Sequence, residues 1–230
     1  MAAPAAMLAQ GLFMVLLPVA LWLWATGRPR PGRAGWALIA WGGLFFVLSQ
    51  VVNTPLRAIA FALVPAGPTP ATPGLAQIVA FSLIAGLGEE GARYVAMSRV
   101  GALRRRLDRA TAATYGLGHG GLESLLLGLA LLGTAYLFRL ADDPAQAGAL
   151  PIELLAQAQA AAALSWYVYL AGALERAFAI GLHVGLSLVV MRAVRDRRPS
   201  LLLAAIGWHA PGGRRAAGRR FRAPARRAGT

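Results

Sequence analysis

Glu89 and Glu90 are adjacent carboxylates that close an uncharged run beginning at Leu75, and Arg93 follows one turn later. An ionisable side chain at membrane depth costs about 2.5–3.5 kcal/mol or more, so it turns toward the protein interior and marks a site. On a helix both acids reach the guanidinium, Glu89 at four residues and Glu90 at three. Their own side chains diverge by about 100°. One acid can therefore pair with Arg93 while the other faces a cavity and serves as a general base on water. The plainer alternative is an ion pair at the end of a helix, snorkelling to water.

Further along, His119 and Glu123 are four residues apart, on one helical face, among Gly116, Gly118, Gly120 and Gly121. Glycines strip a helix surface and let a neighbour approach closely, at a cost in helix stability. A third group contains Glu175, Arg176 and His183, with Arg176 and His183 seven apart on one face and Ser187 a turn beyond. Glu175 with Arg176 reads by itself as a structural ion pair. The three histidines, His119, His183 and His209, all fall within or at the edge of apolar segments. Acids and imidazoles on several helices support two chemistries. A carboxylate can activate water while an imidazole stabilises an oxyanion, or His119, Glu123 and His183 can hold a divalent metal that activates the water. The His-Glu-x-x-His and Gly-x-Ser-x-Gly patterns do not occur, and cysteine is absent, which excludes thiolate ligands and a cysteine nucleophile.

The elements that carry these residues are membrane helices. The chain of 230 residues is 57% hydrophobic with mean hydropathy +0.56, and its apolar blocks are long enough to cross a hydrocarbon layer of about 30 Å. The expected fold is all-α, a polytopic transmembrane bundle of six to seven membrane segments forming a single domain over residues 1–210. The expected segments are residues 5–25, 34–64 (with Pro55 bending or breaking the second), 75–95, 111–138 and 173–194. Residues 152–172 form a helix that is re-entrant, peripheral or an extension of the next, and 201–208 form a truncated last segment. The net charge of +14 lies in arginines between the apolar blocks and in the tail. That distribution is a topology signal rather than a nucleic-acid footprint. It places the clusters at Arg28–Arg33 and Arg99–Arg109 in the cytoplasm and the N-terminus outside, in a multi-pass protein of the cell membrane. The first helix is expected to be retained rather than cleaved as a signal peptide. The absence of lysine and the abundance of alanine, glycine and arginine fit a GC-rich bacterial genome.

Three motifs in order, Gly88-Glu89-Glu90-Gly91-Ala92-Arg93-Tyr94, Gly116-Leu117-Gly118-His119-Gly120-Gly121-Leu122-Glu123 and Glu175-Arg176-Ala177-Phe178-Ala179-Ile180-Gly181-Leu182-His183, resemble the YhfC family of intramembrane proteases. That family is similar in turn to the PrsW and CAAX-prenyl endopeptidase glutamic-type membrane proteases. The resemblance implies a peptidase that cleaves a membrane-associated protein or peptide near the cytoplasmic face. It makes Glu89 the base, with Glu90 and Arg93 completing its motif and His183 stabilising the oxyanion. Glu123 and His119 would orient water or substrate, and His209 resembles a histidine of a final helix. The leading expectation needs no cofactor; the alternative is a divalent metal such as zinc on His119, Glu123 and His183. Glu175 and His209 are additional site candidates. The expected partners are the lipid bilayer and a peptide substrate, with no nucleic acid. A proton- or ion-coupled transporter and an inactive scaffold are the competing classes. After His209 the sequence departs from the resemblance: residues 211–230 are rich in arginine, glycine and alanine. They are expected to be a disordered tail with the composition of a frame-shifted reading.

Overall fold

A computed structural model describes residues 3–27, 32–65, 74–143, 146, 148 and 151–219. Among them the structure is helical, without strands: α1 (Ala3–Thr26), α2 (Gly32–Leu63), α3 (Leu75–Arg99), α4 (Gly101–Arg104), α5 (Arg109–Ala141), α6 (Ile152–Ala162), α7 (Trp166–Arg195) and α8 (Pro199–Arg219). The all-α polytopic architecture is therefore as expected. Among the described residues, five helices are long and apolar enough to cross a membrane: Pro4–Thr26, Gly35–Leu63, Leu75–Arg99, Arg109–Ala141 and Trp166–Arg195. They correspond to the five full crossings expected; the two further segments, at 152–172 and 201–208, fall on α6 with the start of α7 and on α8. With 11 residues, α6 spans only ~16 Å at ~1.5 Å per residue, about half of what a crossing needs.

Two local expectations are corrected. Pro55 lies inside α2, which continues unbroken to Leu63; a membrane helix tolerates the lost backbone bond when its surroundings compensate. The break expected near Gly172 falls instead at residues 163–165, and α7 runs straight through Gly172. This glycine is a packing residue, since a Cβ there would overlap the Gln10 amide of α1. α8 extends past the short apolar segment and through Gly212 and Gly213 to Arg219. Residues 220–230, the rest of the expected tail, lie outside the described residues.

The chain divides into two units, Met1–Leu44 with Asp108–Leu188, and Phe45–Leu107 with Val189–Thr230. In the first, α1 packs along α5 through small residues. A Cβ at Gly128 would come within 2.8 Å of the Met14 Cβ. Hydrogen bonds cross the same interface, from Trp22 Nε1 to the Leu117 carbonyl at 2.9 Å and from Ser124 Oγ to the Met14 carbonyl at 2.9 Å. Ala6, Met7, Ala135 and Tyr169 form an apolar core, and the Tyr169 hydroxyl donates to the Ala161 carbonyl at the end of α6. Asp108 caps α5 by accepting from the Thr111 amide at 2.8 Å, satisfying one of its orphan donors.

The glycines of α5 form a contact surface, as the sequence implies. A Cβ on Gly118 would overlap the Ile39 backbone of α2, and one on Gly116 would lie 2.7 Å from the Val184 Cα of α7. Backbone cannot move aside as a side-chain tip can. Gly118→Ala is therefore expected to destabilise the protein by about 1–3 kcal/mol through overpacking. Gly133→Ala, with nothing within 4 Å, should be neutral or add about 0.5–1 kcal/mol by removing glycine's entropy cost. Thermal unfolding of the two variants in detergent compares them directly.

In the second unit, α3 packs against α8. Gly86 permits the approach, a Cβ there lying 3.0 Å from the Ile206 carbonyl oxygen. Gln77 fastens the start of α3 to the end of α2: its amide donates to the carbonyls of Phe61 (3.3 Å) and Val64 (3.1 Å), and its oxygen accepts from the Gly74 amide. α7 ends with Arg197 in the left-handed region, φ 54°. The Arg198 amide bonds back to the Ala193 carbonyl, which closes the helix and turns the chain into α8.

Candidate active-site residues

The second unit gathers the acid pair. Glu90 and Arg93 form an ion pair on α3 and both side chains are 0% exposed, so the snorkelling alternative does not hold. The i,i+3 spacing chooses Glu90 as the acid that neutralises the guanidinium. His209, on α8, lies across both acids: its Nδ1 is 2.9 Å from Glu90 Oε1 and its Nε2 is 3.7 Å from Glu89 Oε2. Burial opposes the charged imidazole, but the hydrogen bond to Glu90 and the charges of Glu89 and Glu90 outweigh it, raising the pKa of His209 above its ordinary value. His209 thus joins the site despite the unusual sequence that follows it, because Gly86 brings α8 close to α3.

Glu89 is buried and accepts a hydrogen bond from Gln50 Nε2 of α2 at 3.3 Å. Gln50 also donates to Ser49 Oγ at 3.2 Å. One turn along α2, the Asn53 amide is fully buried and rests on Gly88, next to Glu89 in the chain. Gln50 and Asn53 were legible as polar residues in an apolar helix, but sequence reasoning gave them no role. Two amides three residues apart share a face, and that spacing was the available signal.

The first unit gathers the imidazoles. His119 on α5 is 0% exposed and His183 on α7 is also buried. Their rings are 5.0 Å apart, centroid to centroid, tilted by 34°. The glycines make this possible: a Cβ on Gly120 would stand 2.9 Å from both Cβ and Cδ2 of His183. Glu123, one turn beyond His119, presents Oε2 to His183 Nε2 at 2.7 Å and Oε1 to Arg176 Nη1 at 3.2 Å. Arg176 in turn grips Glu175, with Nε 2.6 Å from Oε2 and Nη2 against Oε1. The expected Glu175–Arg176 pair is present, but it is also the anchor for Glu123, a link across helices that the sequence does not display. Ser187 donates to the His183 carbonyl at 2.7 Å, and it and Ser124 are helix serines bonded to backbone.

The donor chemistry of this cluster fits a borderline metal ion such as zinc. Two buried imidazoles lie side by side, and a carboxylate on Nε2 of His183 directs the lone pair of that ring to Nδ1. A metal-binding histidine characteristically has its other nitrogen held by a carboxylate in this way. Glu123 stands on the Nε2 side of His183. The cofactor-free expectation gives way to the metal alternative on these grounds and on the family described next.

Similarity to known proteins agrees with this chemistry. The membrane protein YhfC of Bacillus subtilis (strain 168) is 34% identical over 139 residues, which cover 56% of this chain and 51% of that protein. The chain thus matches the relative over about half of that protein's length. No solved structure matches it. The family model described as YhfC intramembrane metalloprotease matches residues 13–211, a range that contains all three motifs and His209. The chain belongs to the YhfC intramembrane metalloprotease family.

Proposed function

We propose that the protein is an intramembrane metallopeptidase that hydrolyses a peptide bond of a membrane-associated protein or peptide. The observation that carries this reading is the paired imidazoles of His119 and His183, with Glu123 on the far nitrogen of His183. His119 and His183 would hold the ion. A bound divalent metal such as zinc supplies Lewis-acid polarisation of the scissile carbonyl and makes its water more acidic.

The chain's own residues carry the remaining steps. Glu89 takes the proton of the attacking water as the oxygen–carbon bond forms, and returns it to the nitrogen as the carbon–nitrogen bond breaks. Gln50 fixes one oxygen of Glu89 for this task. Glu90 and Arg93 form a buried ion pair beside this base. The arginine clusters would keep the loop from Arg99 to Arg109 in the cytoplasm of a bacterial cell, with the N-terminus outside. Because Glu89 and His119 stand a few turns from that loop on either side, the cleaved bond would lie near the cytoplasmic face.

Reconstituted protein tests the reading. Cleavage of a fluorogenic peptide fused to a transmembrane helix should stop on treatment with a metal chelator. It should return on adding zinc. Undiminished cleavage after exhaustive chelation would remove the metal from the mechanism.

A further inference from the structure

We infer that Arg176 is a positioning residue for His183, acting through Glu123. This rests on the reading of His183 as a metal-holding residue, and it adds a function to an arginine that otherwise looks like half of a surface ion pair. Arg176 and His183 lie seven residues apart on α7, two turns and ~10 Å along the axis. The Glu123 carboxylate, arriving from α5, reaches both: Oε1 meets Arg176 Nη1 at 3.2 Å and Oε2 meets His183 Nε2 at 2.7 Å. A glutamate has three rotatable side-chain bonds, and this one is partly exposed. Arg176 restrains it by holding the oxygen that does not meet His183.

The guanidinium is suited to this because its donors are spread over a rigid plane. Its Nε and Nη2 edge is occupied by Glu175 while Nη1 points to Glu123. Glu175 therefore orients Arg176, Arg176 orients Glu123, and Glu123 fixes the Nε2–H tautomer of His183. A lysine, with one nitrogen, cannot hold both acids in fixed directions. Two carboxylates against one guanidinium also leave this group with one net negative charge, which favours a cation on the imidazole side.

The inference is tested with Arg176→Met, Arg176→Lys and Glu175→Gln in the full chain, purified in detergent. Zinc affinity is measured by competition with a chromophoric chelator, and the imidazole ¹⁵N spectrum is recorded without metal. Only three histidines are present, so assignment of His183 needs only the His119→Asn and His209→Asn variants. The wild type should show His183 as the Nε2–H tautomer. Arg176→Met should show a mixture of tautomers and bind zinc about 10–100-fold more weakly, the range for losing an outer-shell partner. Arg176→Lys should fall between the two, and Glu175→Gln, which keeps one acceptor for the guanidinium, should lose less than Arg176→Met. A His183 signal and zinc affinity unchanged in Arg176→Met would overturn the inference. So would equal losses in Arg176→Met and Glu175→Gln accompanied by equal drops in thermal stability, since they would mark a structural ion pair. A wild type that binds no zinc would instead refute the metallopeptidase reading, while the tautomer shift would still report on Arg176.

Discussion

Glu89→Gln is expected to abolish peptide cleavage, lowering kcat by about 10²–10⁴-fold, the contribution of a positioned general base, while thermal stability stays near wild type. The substitution keeps the size and shape of the side chain, and the new amide oxygen can still accept from Gln50 Nε2, which donates to Glu89 at 3.3 Å. What it removes is the ability to take up a proton. The neighbouring acid gives the contrast. Glu90 and Arg93 are a completely buried pair, and breaking such a pair strands a charge at a cost of about 3–5 kcal/mol. Glu90→Gln should therefore reduce stability and activity together. Melting curves of the two variants separate chemistry from architecture. A Glu89→Gln protein that cleaves at the wild-type rate would eliminate Glu89 as the base.

His119→Ala and His183→Ala should each remove the metal, and with it the activity. The two rings are 5.0 Å apart and both are buried. Loss of either removes one of the two imidazoles that would hold the ion. His183→Ala also removes the Glu123–His183 contact at 2.7 Å, which His119→Ala leaves in place. Chelator-resistant metal in either variant would contradict the assignment of these histidines.

The residues that were legible in the sequence are those whose type conflicts with their surroundings. Charges at Glu89, Glu90 and Arg93 within an apolar run require an explanation from composition alone, and the i,i+3 spacing correctly allows Glu90 to pair with Arg93. The glycines around His119 likewise forecast close helix approach, because only the absence of a Cβ permits it. Partners across helices were not legible. The attachment of Glu123 to His183, of Gln50 to Glu89 and of His209 to both acids depends on which helix faces meet, and periodicity within one helix does not specify that. The fold shows the same division. Long apolar runs identified the five crossing helices, while Gly172 looked like a break because a packing glycine and a terminating glycine are identical in sequence. The structure distinguishes them by the Gln10 side chain that fills the missing Cβ position.

The most direct test of the central claim is the metal content of the purified protein, measured alongside its cleavage of the membrane-anchored reporter peptide. Elemental analysis of the wild type should find about one divalent ion per chain. His119→Ala and His183→Ala should contain none. A wild-type protein that cleaves the reporter while holding no metal would contradict the account.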